Sequence, residues 1–142
     1  MVYKFRQLEY NDYHKEYLKL IESNNITFTQ FDEYIKTVLN DNHIIIVIEN
    51  NNKIIGTGTL LIERKLTHNF CKMGHIENIL IHPEYRKKGL GELLVKKLLK
   101  IAKLNKCYRI DLTCVEELEK FYKKNNFEKK QIKMSILFEE NF

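Results

Sequence analysis

Arg86-Lys87-Lys88-Gly89-Leu90-Gly91 joins an apolar run, Ile76 to Ile81, to an amphipathic run, Glu92 to Leu104. These residue types in this order suit the binding of an anion. Glycines let a backbone approach its ligand closely. The first N–H groups of a helix have no acceptor within the helix, and the helix dipole adds positive character there. A strand, a basic glycine turn and a helix therefore form a cradle for phosphate. The charge distribution agrees. From Arg86 to Arg109 there are nine Lys or Arg and one acid, Glu92, whereas the rest of the chain carries 15 basic and 18 acidic residues. Lys96, Lys97, Lys100 and Lys103 read as a solvated helix face. Arg86, Lys87 and Lys88, in the turn itself, read as the cations that meet the anion.

The elements that position this turn follow from hydrophobic periodicity. Val2 to Leu8 alternates as a strand. Asn11 or Asp12 is suited to cap a helix running to about Ser23, with Tyr13, Tyr17, Leu20 and Ile21 on one face. Thr27 or Thr29 starts a second helix, with Phe31, Tyr34, Ile35, Val38 and Leu39 at helical spacing, ended by Asp41-Asn42. Ile44 to Ile48 is a strand apolar on both faces. Asn50-Asn51-Asn52-Lys53 is a hairpin turn, because Asn tolerates positive φ. A long strand follows from Lys53 to about Arg64, then a polar loop from Lys65 to Lys72, then a strand from Met73 to Ile81. The basic helix buries Leu94, Leu98, Ile101 and Ala102, with Val95 and Leu99 beside them. Cys107 to Cys114 is strand-like. Glu116 and Glu117 start a helix through Lys124, since acids favour a helix N-terminus. Phe127 to Phe138 reads as one or two terminal strands. The order β-α-α-β-β-β-α-β-α-β predicts an α/β fold with a mixed sheet and helices on both faces.

Composition bounds the function. The chain has 142 residues, enough for one domain with a real core. A hydrophobic fraction of 44% and a single proline suit a compact α/β fold rather than a disordered chain. No run reaches the roughly 18 apolar residues of a membrane span, and no signal-peptide pattern is present, so no membrane partner is expected. Cys71, Cys107 and Cys114 are odd in number and irregular in spacing. That suits a reduced, cytoplasmic compartment and gives no metal-binding pattern. A pI near 9.0 permits nucleic-acid binding, but no nucleic-acid motif accompanies it.

With these residues in view, the chain resembles the GNAT superfamily of acetyl-CoA-dependent N-acetyltransferases. The superfamily motif Gln/Arg-x-x-Gly-x-Gly/Ala is met by Arg86, Gly89 and Gly91. Around it, Gly58 to Lys65, His68, Gly74-His75-Ile76-Glu77, Cys107-Tyr108-Arg109-Ile110 and Phe121-Tyr122-Lys123-Lys124 are similar to the eukaryotic glucosamine-6-phosphate N-acetyltransferase branch. The likeness runs from about Phe5 to Ile136 and is densest from Gly58 to Gly91. It implies acetyl transfer from acetyl-CoA to the 2-amino group of glucosamine 6-phosphate, a step toward UDP-N-acetylglucosamine. It also implies a homodimer whose C-terminal strands reach toward the partner and help to complete its active site.

The resemblance also implies roles. Backbone N–H groups of Lys87, Lys88, Gly89, Leu90, Gly91 and Glu92, with Arg86, would cradle the pyrophosphate of acetyl-CoA. Ile79, Leu80 and Ile81 would form the strand along which its pantetheine arm lies, splayed from its neighbour. Tyr122 would protonate the leaving thiolate, since a phenol with a pKa of about 10 stays protonated at neutral pH. Glu77 and Asn78 would bind the acceptor and place its amine. Lys65, Leu66, Thr67 and His68 match a segment that contacts the sugar phosphate, where a Lys and a His converging on a dianion make physical sense. Four positions depart from the branch. Asn78 stands where an Asp is usual, and an amide cannot serve as a base. Thr113 replaces a second acid on the acceptor side, Leu118 an Asn before the Phe-Tyr pair, and Leu137 a phosphate-binding Arg. Attack by the neutral fraction of the amine, or proton removal by His75 or a water, then becomes the available route. Acetylation of another amine, an inactive CoA-binding module and nucleic-acid binding through the basic helix are the competing readings.

Overall fold

The computed structural model describes residues 2–140. The chain divides into two compact units, one ending at Leu112 and one starting at Thr113. In the first, five strands lie in sequential order: β1 (Lys4–Gln7), β2 (His43–Asn50), β3 (Lys53–Arg64), β4 (Lys72–Ile81) and β5 (Cys107–Leu112). The pairs β1–β2, β2–β3 and β3–β4 are antiparallel, and β4–β5 is parallel. Only the last pair needs a crossover, and helix α4 (Leu90–Leu104) supplies it.

Strand β2 is apolar on both faces because both are covered. Ile45 and Val47 pack in one cluster with Leu8, Tyr17, Leu18 and Phe31, beneath helices α1 (Tyr17–Leu20) and α2 (Phe28–Thr37). On the other face, a Cβ at Gly58 of β3 would lie 3.1 Å from Leu98 Cδ1 and 3.3 Å from Leu94 Cδ2 of α4. Leu94, Val95, Leu98 and Ala102 are fully buried, while Lys96, Lys97, Lys100 and Lys103 are exposed. The solvated-face reading of those lysines therefore holds. Each buried leucine contributes roughly 2 kcal/mol to holding α4 on the sheet.

Several local expectations are met. Asn51 and Asn52 have φ of 49° and 60°, the conformation of a two-residue hairpin between β2 and β3. Thr27 caps α2 by accepting from the Gln30 N–H at 3.2 Å, and Gln30 Oε1 accepts from the Thr27 N–H at 2.9 Å.

Others are corrected. The helix expected from Asn11 or Asp12 to Ser23 is broken into a 3-10 turn, Tyr10–His14, and the single turn α1. Partners outside the segment override the local pattern. The Lys15 carbonyl accepts from the Ile54 N–H of β3 at 2.9 Å. The Asp12 carboxylate accepts from both Nη atoms of Arg6 at 2.7 and 2.8 Å and from the Glu9 N–H at 2.9 Å. Glu16, between the two pieces, is left-handed with φ 62°. Helix α2 stops at Thr37 rather than near Asp41, because Asn40 already bridges His43 at the start of β2. Helix α4 begins at Leu90, two residues earlier than Glu92, and β5 ends at Leu112 rather than Cys114. The loop from Lys65 contains one tight turn, α3 (Thr67–Phe70), with His68, Asn69 and Phe70 at positive φ.

In the second unit, Glu116–Leu118 forms a 3-10 turn that leads into α5 (Glu119–Lys124). The terminal strands expected from Phe127 to Phe138 do not form within the described residues. Ile132, Met134, Ile136 and Phe138 keep the alternation of a strand but are 81–92% exposed. Alternation alone makes no strand, since its N–H and C=O groups need a neighbour to pair with.

Candidate active site

The site is built on an irregularity in β4. Thr59 pairs with Glu77 and Thr57 with Leu80, so the single residue Gly58 opposes both Asn78 and Ile79. This is a β-bulge. Asn78 carries it with φ 53°, a left-handed conformation that Asn adopts more readily than most residues. The bulge turns Glu77 and Asn78 toward a cavity of about 990 Å³ on the α1–α2 face. Tyr17, Tyr34, His43 and Thr59 also line it. Tyr17 is buried there, and burial, the largest influence, raises its phenol above the usual range. Tyr34 Oη and His43 Nε2 stand 3.4 Å apart. The sequence places Tyr17 and Tyr34 only on apolar helix faces, and gives neither them nor His43 and Thr59 a site role. Their only signal is position, since each face is known once the strand register is known.

The same strand loses its other neighbour beyond the bulge. The β4–β5 ladder runs from Lys72↔Cys107 to Ile76↔Leu112 and ends there. Among the described residues, no strand pairs with the β5-side edge of Glu77 to Ile81. Ile79, Leu80 and Ile81 lie beyond the end of that ladder, and the Ile81 carbonyl accepts from Arg86 Nε rather than from a strand.

That edge leads directly into the basic turn. Arg86 Nε donates to the Ile81 carbonyl at 2.9 Å, which ties the turn to the end of β4. Lys88 Nζ lies 5.4 Å over the Tyr85 ring. Lys87 and Gly89 have positive φ, 61° and 77°, so the chain folds tightly before the helix. The first bond of α4 runs from the Leu93 N–H to the Gly89 carbonyl at 3.2 Å. The N–H groups of Leu90, Gly91 and Glu92 precede it and have no acceptor within the helix. Gly89 has no side-chain cap, and a Cβ built on it would meet nothing within 4 Å. An open, uncapped helix start flanked by three cations fits a pyrophosphate.

The remaining expected residues lie apart. Lys65, Leu66, Thr67 and His68 follow β3 and do not line the cavity. From the Arg64↔Lys72 pair to Glu77 is five residues of β4, roughly 17 Å of strand. His75 lies between, on the same face, and its Nε2 is 3.0 Å from Glu63 Oε1. The ring of His68 packs on that of Tyr108, centroids 5.6 Å apart. Thr113 and Tyr122 belong to the second unit, where Thr113 is exposed and Tyr122 is buried. Tyr122 packs edge-on against Phe121 and Phe127, at 4.9 and 5.8 Å. Burial, more than the nearby Cys114, pushes its phenol above the usual range and keeps it protonated.

The acetyltransferase (GNAT) family model matches residues 3–127, which span both units. The chain belongs to the GNAT acetyltransferase family. This acetyltransferase uses acetyl-CoA as its acetyl donor. It is 34% identical to the glucosamine 6-phosphate N-acetyltransferase of Arabidopsis thaliana, over 96% of this chain and 97% of that protein. It is 37% identical to glucosamine 6-phosphate N-acetyltransferase 1 of Dictyostelium discoideum, over 93% and 88%. The crystal structure of the Arabidopsis enzyme superposes with a TM-score of 0.91, covering 98% of this chain and all of that one. Among the described residues, no helix of this acetyltransferase is long and apolar enough to cross a membrane. No three His, Cys, Asp or Glu among them group as metal ligands.

Proposed function

We propose that this GNAT enzyme moves the acetyl group of acetyl-CoA to the 2-amino group of D-glucosamine 6-phosphate. The products are N-acetylglucosamine 6-phosphate and CoA, on the route to UDP-N-acetylglucosamine. The observation that carries this reading is the 34–37% identity, along nearly the whole of both chains, to enzymes named for that reaction. The chain is read as one N-acetyltransferase domain, which the run of the family match through residues 3–127 supports.

Bound acetyl-CoA supplies an activated acyl carbon. The free N–H groups at the start of α4, with Arg86, Lys87 and Lys88, hold its pyrophosphate by charge-assisted hydrogen bonds. The β5-side edge of Ile79 to Ile81 aligns the arm that carries the thioester. Glu77 and Asn78 hold the acceptor so that its neutral amine faces that carbon, which removes much of the orientational cost of the reaction. Asn78 orients without taking a proton, and Glu77 is the carboxylate beside it. Tyr122 gives its proton to the departing thiolate. Lys65, Thr67 and His68, with the Leu66 backbone, meet the phosphate, and Thr113 contributes to the acceptor side.

The enzyme acts as a homodimer in the cytoplasm. The exposed alternation Ile132, Met134, Ile136, Phe138 supports the first statement, because it has the pattern of a strand but finds no strand to pair with among the described residues. Three free cysteines support the second. No nucleic acid or membrane is required. Ile136→Glu with Phe138→Glu then converts the dimer to monomer in sedimentation; an unchanged sedimentation coefficient removes the tail from the interface.

A second reading, acetylation of a different amine, draws on the roomy cavity that Lys65 to His68 do not line. Thiol release from acetyl-CoA, followed with glucosamine 6-phosphate, glucosamine and spermine in parallel, separates the two. Preference for glucosamine 6-phosphate over glucosamine is expected. Equal kcat/KM for both sugars would sink the phosphate site, and faster turnover of spermine would favour the second reading.

A further inference from the structure

Between Glu77 and Lys65 the exposed face of the sheet carries a group of charges that the reaction scheme leaves idle. Glu63 is its centre. Its Oε1 is 3.0 Å from His75 Nε2, and its Oε2 is 3.8 Å from Lys65 Nζ. One carboxylate thus serves an imidazole and an ammonium at once. The register explains the meeting. Leu61 pairs with His75 and Glu63 with Met73, so Glu63 and His75 are diagonal neighbours on one face of β3 and β4. The hydrogen bond from His75, ahead of the charge of Lys65, holds the Glu63 carboxyl below the usual carboxylate range. Glu63 is therefore an anion whose charge is divided between two partners.

The other charges facing His75 are accounted for. From β5, Asp111 stands in register with His75, and its Oδ1 is 3.2 Å from Arg109 Nε. Along β4 itself the next residue on this face is Glu77. The Asp111–Arg109 pair neutralises itself, so the partner of His75 that can be redistributed is Glu63. When His75 is neutral, Glu63 opposes the charge of Lys65. When His75 gains a proton, it draws on the same carboxylate, and Lys65 faces solvent with its charge less opposed.

We propose that Glu63 is a positioning residue for the acceptor, dividing its charge between His75 and Lys65 so that protonation of His75 strengthens the hold of Lys65 on an anionic acceptor. This rests on the functional reading above, in which Lys65 meets the phosphate. Both members of the pair are open to solvent, with side-chain exposures of 50% for Glu63 and 33% for His75, so the exchange of a proton needs no conformational change. Exposed ion pairs are weak, which sets the scale at about two- to fivefold in affinity.

The test compares KM for glucosamine 6-phosphate with KM for glucosamine across about pH 5 to 8, the range in which imidazoles titrate. The ratio cancels the titration of the amine, and the phosphate titrates identically for wild type, Glu63→Gln and His75→Asn. At the alkaline end Glu63→Gln lowers the ratio about two- to fivefold and His75→Asn leaves it unchanged. At the acid end Glu63→Gln matches wild type, and His75→Asn raises the ratio by a similar factor. Values of kcat for Glu63→Gln stay within about twofold, since Glu63 does not touch the reacting atoms. A structural role would move both variants in one direction at every pH, and that outcome overturns the proposal, as does a ratio that neither variant moves. A wild-type enzyme indifferent to the phosphate overturns the functional reading instead.

Discussion

Gly58 and Ile79 compete for one space: a Cβ on Gly58 would lie 2.6 Å from Ile79 Cδ1. The glycine is what lets the bulged strand fold its isoleucine inward, over Leu94 and Leu98 of α4. Gly58→Ala forces Ile79 or the helix to shift, and overpacking of this kind costs about 1–3 kcal/mol. Ile79 also belongs to the strand edge assigned to the pantetheine arm. Urea denaturation should therefore show the loss of stability, and calorimetric titration a weaker affinity for acetyl-CoA. Trimming the opposing side chain in Gly58→Ala/Ile79→Val restores most of the stability. If the double variant is no better than the single, the clash lies elsewhere.

Asn78 answers first to its backbone. At φ 53° a β-branched residue is strained, and such strain costs about 1–3 kcal/mol. Asn78→Gly and Asn78→Asp should therefore melt close to wild type, with Asn78→Val lower by that amount. The chemistry separates the two tolerated variants. Asn78→Gly loses the side-chain contact to the acceptor and raises its KM, whereas Asn78→Asp keeps it. A Val variant as stable as the parent would show that the bulge relaxes without cost.

In the proposed reaction Tyr122 serves as the acid, so its protonated form is the active one. Burial raises its pKa above the ordinary 10.0, which moves any loss of activity to higher pH. The kcat profile should stay flat to about pH 10 and fall only above it, as far as the protein remains folded. Tyr122→Phe should lower kcat by about 100-fold or more and leave acetyl-CoA binding intact. Wild-type turnover in the Phe variant would remove the phenol from the reaction.

Arg6 of β1 joins the 3-10 turn Tyr10–His14 to β2. It bonds Asp12, whose side chain is fully buried, through both Nη atoms, and it bonds Glu49, which also meets Lys15 at 3.0 Å. Arg6→Ala strands a buried carboxylate and should cost about 3–5 kcal/mol. The Glu49 carboxyl is held below its ordinary 4.5, first by the Arg6 hydrogen bond and then by that of Lys15. A group depressed in the folded state stabilises above its unfolded pKa and loses that contribution as pH falls through the folded one. Thermal melts should therefore drop below about pH 4.5, less steeply for Glu49→Gln. Parallel acid limbs for the two proteins would exclude Glu49 as a source of the acid sensitivity.

The parts legible from sequence share one property: they depend on neighbours along the chain. The Asn51-Asn52 turn, the Thr27 cap and the glycine turn at Arg86–Gly91 each use bonds within about five residues, so residue type is sufficient to specify them. The expected helix from Asn11 or Asp12 to Ser23 had the right periodicity and lost to partners outside the segment, Arg6 and Ile54. The terminal strand had the right alternation and found no neighbour within the described residues.

What the sequence determined by itself is therefore the strand β4, the basic glycine turn that follows it and the amphipathic helix packed behind, because each is written in local backbone chemistry and hydrophobic period. Only the tertiary structure decided which residues share a face. The bulge that turns Glu77 and Asn78 together, the end of the β4–β5 ladder at Ile76 and the meeting of Glu63 with His75, twelve residues apart, all depend on strand register. A shift of one residue in that register would send every one of these side chains to the opposite face, and no pattern within a single segment fixes it.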